Sequence, residues 1–125
     1  MASTYRIDKG QRIAYTIYSG VVTYAVIRAI MDELKANPDF DPTFHAMAIY
    51  DETVDIQLTL QELRRLSEVE LFATTSKRAV VMDGRHLAYT LAFTYKALLA
   101  QKGTEVVRVF ERKADALAWL GVTEP

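Results

Sequence analysis

The chain has no cysteine. That removes disulfides, thiolate metal sites and thiol nucleophiles at once. Glycine is scarce, five in 125 residues and none clustered. Neither G-x-G-x-x-G nor the G-x-x-x-x-G-K-S/T phosphate loop occurs, so a dinucleotide or P-loop site is not expected. The nucleophile elbow G-x-S-x-G is also missing, and Ser3, Ser19, Ser67 and Ser76 sit in no context that a histidine would activate. Only two histidines exist, His45 and His86. They are expected to open a strand and a helix at opposite edges of a sheet, so no shared metal and no cofactor is expected. No sign of charge dominates: 15 basic and 16 acidic residues leave a net charge of −1. Such a chain has no global field to draw nucleic acid or anionic lipid. No apolar run approaches the roughly 18 residues of a membrane span, so no membrane insertion is expected. The start, Met-Ala-Ser-Thr-Tyr-Arg, has no apolar leader core. A cytoplasmic protein of bacterial style is the expectation.

What is present is a globular composition, half hydrophobic and a quarter charged, sized for one domain over residues 1–125. Tyr5–Asp8 and Arg12–Tyr18 read as strands, with Lys9-Gly10-Gln11 supplying a glycine hairpin turn. In the second, Ile13, Tyr15 and Ile17 alternate with Ala14, Thr16 and Tyr18. Gly20 breaks this strand and Thr23 caps a helix running from Tyr24 to about Asn37, ended by Pro38. His45–Tyr50 reads as a strand buried on both faces, as parallel strands are. A loop follows from Asp51 to Leu58. Thr59-Leu60-Gln61-Glu62 is a capping box, and Ser67-Glu68-Val69-Glu70 repeats it, so two short helices can follow one another here. Lys77–Met82 predicts a strand, Arg85–Gln101 a long helix stopped by Gly103, Val106–Phe110 a last strand, and Lys113–Leu120 a helix closed by Gly121. Strands alternating with helices predict right-handed crossovers and a largely parallel sheet.

Three features invite a functional reading. Asp51 and Asp83 both follow apolar strands and fall at the carboxyl edge, where open α/β folds bind ligands; Asp55 and His86 are close in sequence. Two carboxylates there could hold magnesium or share a proton. The plainer reading, which we favour, is that aspartate stops a strand and caps the next turn. The long helix carries Leu87, Leu91, Tyr95 and Leu98 on one stripe, widened by Ala88, Ala92 and Leu99. Tyr89 and Phe93 lie on another side, which leaves a partner surface and a wide core arc as equal readings. Lys77, Arg78, Arg108, Arg112 and Lys113 could make a small basic area, but without interleaved aromatics it reads as solvated surface.

Several short patterns together resemble the SpoIIAA-like superfamily, shared by STAS and CRAL-TRIO domains, and small bacterial STAS-like proteins in particular. They are Gly20-Val21-Val22-Thr23, Asp41-Pro42, Ile49-Tyr50-Asp51, Arg78-Ala79-Val80-Val81, and Val107-Arg108-Val109-Phe110 followed by Ala116-Leu117-Ala118-Trp119-Leu120. The resemblance implies a (βα)n superhelix with helices mainly on one side. The fold expected is therefore α/β: a mixed five-stranded sheet with an antiparallel N-terminal hairpin strand and about four helices. It also implies partner switching through a phosphorylated serine after the middle strand. Here Glu52-Thr53-Val54-Asp55 follows Asp51, with no serine, so phosphoregulation is not carried over. The function expected is a non-enzymatic regulatory or protein-interaction domain, self-association included, working through Tyr89 and Phe93 or the loop with Asp51 and Thr53. The alternative is a binder of a small apolar or lipid-like molecule lined by Tyr24, Ile27, Tyr89 and Phe93. An enzyme using Asp51 and Asp83 ranks third.

Overall fold

In the computed structural model, which describes residues 3–83, 89–101 and 106–123, Thr4–Asp8 (β1) pairs antiparallel with Ile13–Tyr18 (β2). The hairpin turn departs from expectation. Gly10 is not left-handed; Arg12 is, at φ 57°. Asp8 shapes the turn by accepting from the Gln11 backbone N–H at 3.1 Å. Arg12 is held by its other contacts: its guanidinium donates to Thr43 Oγ1 at 2.6 Å and lies 5.0 Å from the Phe44 ring centre.

Gly20, left-handed at φ 65°, bends the chain out of β2 into Val21–Thr23 (β3). Thr23 caps Tyr24–Ala36 (α1), its hydroxyl accepting from the Val26 N–H at 3.3 Å. His45–Tyr50 (β4) runs parallel to β2, with Ile13 opposite His45 and Tyr18 opposite Tyr50. Beyond it Asp55–Gln57 (β5) pairs parallel with β3. The expected loop from Asp51 to Leu58 therefore contains a strand. Parallel neighbours that bend together stay within pairing distance, which no local propensity in three residues would reveal.

Leu60–Ser67 (α2) begins with the expected capping box: Thr59 Oγ1 accepts from Glu62 N–H at 3.0 Å, and Glu62 accepts from Thr59 N–H at 2.9 Å. The repeated box does not form. Ser67 is buried and its hydroxyl donates back to the Arg64 carbonyl at 2.6 Å, so it ends α2 instead of starting a second helix. Arg78–Val81 (β6), Tyr89–Ala100 (α3), Val107–Phe110 (β7) and Lys113–Leu120 (α4) complete the order. The predicted start of the long helix, with Gly84, Arg85, His86, Leu87 and Ala88, and its stop at Gly103 lie outside the described residues. At the end of α4, Gly121 is left-handed at φ 72°. Its N–H reaches the Ala118 carbonyl and Val122 N–H reaches Leu117, a Schellman closure.

The main sheet runs β1-β2-β4-β6-β7, and every pair after the first is parallel. The chain is thus α/β with a mixed five-stranded sheet and four helices among the described residues. Each parallel step moves one strand in the same direction. Right-handed crossovers then put α1, α2 and α3 on one face. Ile27 and Ile30 of α1 and Leu66 of α2 accordingly pack with Tyr18, and Tyr95 of α3 joins them. The fourth helix, α4, covers the opposite face, where Ala116 and Leu120 pack on Ile13, Tyr15, Met47 and Val81. No helix among the described residues is long and apolar enough to cross a membrane.

Candidate functional site

Side chains alternate across a strand, so β2, β4 and β6 each offer different residues to the two faces. Toward α4 they give Ile13, Tyr15, Met47, Ile49 and Val81, which fill that side. Toward α1, α2 and α3 they give mostly small residues, Ala14, Thr16, Ala46, Ala48 and Val80. The helices cannot sink far enough to meet such short side chains. A cavity of about 140 Å³ remains between them and the sheet. Ile27, Ile30 and Leu34 of α1, Leu63 and Leu66 of α2, and Leu91 and Ala92 of α3 form its roof, with Leu71 and Phe72 from the segment after α2. At roughly 24 cal/mol per Å³, a void of that size left empty withholds about 3 kcal/mol. Against a total stability of about 5–15 kcal/mol, that is a large sacrifice for a single domain.

One charge enters this apolar space. Arg78, at the start of β6 and opposite Ala46 on β4, is the single charged residue lining the cavity among the described residues. Its Nε is buried and finds no hydrogen-bond partner among the described residues. The guanidinium carbon lies 5.8 Å from the Phe72 ring centre. Burial pulls its pKa below the ordinary value, while Tyr95 acts in the other direction. At the other end of the strands Tyr18 and Tyr50 stack, ring centres 4.7 Å apart and planes 17° apart. Burial pushes the Tyr18 phenol up to about 12 and raises Tyr50 well above its ordinary range; Tyr95 is raised as well, again chiefly by burial. All three hydroxyls are therefore neutral at physiological pH. They can donate hydrogen bonds but do not supply negative charge.

Of the expected cavity residues, only Ile27 lines it. Tyr24 turns to the α1–α2 surface, where Arg65 lies 4.6 Å over its ring. Tyr89 and Phe93 form an edge-to-face pair, 5.1 Å between centres, on the outer side of α3, with Phe93 44 % exposed. Tyr95, six residues after Tyr89, takes the inner place. The expected division of α3 into two sides is thus present, but the aromatic pair lies outside.

Asp51 is occupied by local donors, two hydroxyls and one backbone N–H. Asp51 accepts from the Ser19 hydroxyl through one oxygen, and from the Thr53 hydroxyl (2.6 Å) and N–H (2.9 Å) through the other. Thr53 Oγ1 accepts in turn from Gly20 N–H at 3.0 Å. These donors, Ser19 first and Thr53 next, hold the Asp51 carboxyl below its ordinary pKa. They lock the paired bends of β2–β3 and β4–β5, which is the turn-capping role. Asp83 lies just past β6, exposed, with contacts of its own. His86 lies outside the described residues. Among the described residues no three His, Cys, Asp or Glu gather as a metal site. His45, at the amino end of β4, accepts the Lys77 N–H on Nδ1 at 2.9 Å.

The basic area also changes. Lys77 and Arg78 are adjacent but point to opposite faces. Lys77 lies on the α4 side, donating to the Trp119 carbonyl at 3.3 Å and sitting 5.5 Å from its ring. Arg108 lies 5.7 Å from both Phe110 and Trp119, which contact each other at 5.6 Å. Aromatics are interleaved there after all, and the cations brace α4. The alternation of large and small residues along β2 and β4 was the signal for the cavity; the burial of Arg78 could have been read from its strand parity relative to Ala79. Comparisons with protein-family models, curated proteins and solved structures match nothing, so the site is interpreted from its own geometry.

Proposed function

We propose that this is a non-enzymatic, ligand-holding domain that takes a small apolar molecule between its sheet and α1–α3. The observation that carries this reading is the 140 Å³ apolar cavity under three helices, with small residues beneath it on β2 and β4. Apolar cavities near that size stay dry and accept a guest such as benzene. Among the described residues no activated nucleophile or acid–base pair opens onto it, which favours binding over catalysis. We place the domain with the STAS-like proteins of the SpoIIAA-like superfamily. The sequential strand order and the three-to-one distribution of helices support that kinship. A cytoplasmic setting suits a cysteine-free chain.

The test is a methyl-detected NMR titration with benzene and with benzyl alcohol. Saturable shifts at Ile27, Leu66 and Ala48 are expected. Unmoved methyl signals with both probes would refute the reading. A second reading, docking of a protein partner or a second copy, is favoured by one observation: Phe93 is 44 % exposed with Tyr89 against its edge. Phe93→Asp would then convert a concentration-dependent dimer to monomer in sedimentation analysis. The two readings are compatible, because the aromatic pair and the cavity lie on opposite sides of α3.

A further inference from the structure

Resting on the ligand-holding reading, we infer that the cavity selects a small ionised carboxylic acid, with Arg78 receiving the carboxylate and the apolar walls a body about the size of one aromatic ring. Among the described residues every other one lining the cavity is uncharged, so none of them neutralises Arg78. The Nε donor is buried and unpartnered among the described residues. A guanidinium in that position is unfavourable alone, since its lost hydration is repaid by no counter-ion. An incoming carboxylate supplies both the missing charge and the planar acceptor pair that a guanidinium fits.

The strand geometry makes the placement firm. β6 turns Arg78 toward the helices and leaves Lys77 on the α4 side, braced on Trp119. Turning Arg78 to the α4 face would require a register shift of the whole strand. A single cation also argues for a single negative charge. A doubly charged phosphate would leave one charge unmatched in an apolar space, and it holds its water more strongly. Tyr95 places a neutral phenol on the side of α3 that lines the cavity. Volume sets the other limit: near 140 Å³ there is room for a ring or a short alkyl chain, not for a long fatty acyl tail.

The experiment titrates the intact protein with benzoate, hexanoate, benzyl alcohol and hexanol at neutral pH, following the same methyl signals. Each acid should bind at least about ten-fold tighter than the alcohol of matching shape, the gain expected of hydrogen bonds to a charged group. Arg78→Met should bring each pair to equal affinity, and Arg78→Lys should keep part of the preference. Arg78→Met removes a half-buried cation and should fold at least as well as the parent; Arg78→Lys serves as the second variant. Equal affinity for acid and alcohol in the parent protein overturns the inference while leaving an apolar pocket. A preference that survives Arg78→Met overturns the role of Arg78. Silence with all four probes overturns both the inference and the reading beneath it.

Discussion

The two faces of this sheet are built from the same strands and end in different states. Toward α4, Ile13, Tyr15 and Met47 have no exposed surface at all, and one short helix suffices to close the layer. Toward α1, α2 and α3, alternate residues of the same strands shrink to Ala14, Thr16, Ala46 and Ala48, and three helices fail to close it. Helix number therefore does not decide packing density. Side-chain volume on the sheet does, because a helix axis can approach a sheet only as closely as its own larger residues permit. One face serves as foundation, and its solidity lets the other remain hollow.

Removing volume from the filled face should have the largest effect. Tyr15→Ala or Met47→Ala takes a large side chain from the central cluster and should destabilise by about 3–5 kcal/mol in urea unfolding. A loss below about 1 kcal/mol would mean that the α4 layer is not the foundation described here. The next effect is alkaline. The folded pKa of Tyr18 is raised from 10.0 to about 12, so its contribution is whole below pH 10 and is lost as pH rises through 12. Two pH units correspond to about 3 kcal/mol. Tyr50 and Tyr95 shift in the same direction. Ultraviolet titration should show late phenols among the seven tyrosines, ionising together with base unfolding. Tyrosines that all titrate near pH 10 while the fold persists would contradict the burial of Tyr18, Tyr50 and Tyr95.

A matched pair of substitutions sharpens the comparison further. Ala116→Leu adds volume where Ala116 is fully buried on the filled face, and should destabilise by about 1–3 kcal/mol through overpacking. Ala48→Leu adds the same volume into the cavity, and should stabilise by about 1 kcal/mol while blocking small-molecule binding. Equal destabilisation by both would show that the cavity cannot be filled from the sheet.

Much of this was legible in the sequence where the cause is local. His45–Tyr50 and Lys113–Leu120 are bounded by their own residues, and Thr23 and Thr59 cap as their spacing predicts. What escaped depends on contacts made at a distance. β3 and β5 exist because Gly20 and Asp51 bend neighbouring strands in concert. Ser67 was drawn to the Arg64 carbonyl by burial, not by its own motif. Tyr24, Tyr89 and Phe93 line a cavity only in the alternative reading of the sequence; the first reading sets Tyr89 and Phe93 on a partner surface. The rotation of α1 and α3 about their own axes, which a periodic pattern leaves open by tens of degrees, put them outside. Arg78 looked like half of a surface pair until strand parity separated it from Lys77.

The smallest expected effect falls at the sheet's amino edge, where the two faces meet. His45 accepts the Lys77 N–H on Nδ1, so this nitrogen must be unprotonated in the native state. Burial first, then the charges of Lys77 and Arg12, holds its pKa below the ordinary 6.5. The unfolded chain consequently binds more protons in the interval below 6.5, and stability rises with pH there. The contribution is whole above 6.5 and fades as pH falls toward the depressed native value. Because the ring is only half-buried, screening keeps the effect below about 1 kcal/mol. His45→Asn retains an acceptor for the Lys77 amide without the titration. Its melting temperature should change less between pH 7 and pH 5 than that of the parent, and identical pH profiles would remove His45 from the link between β4 and β6.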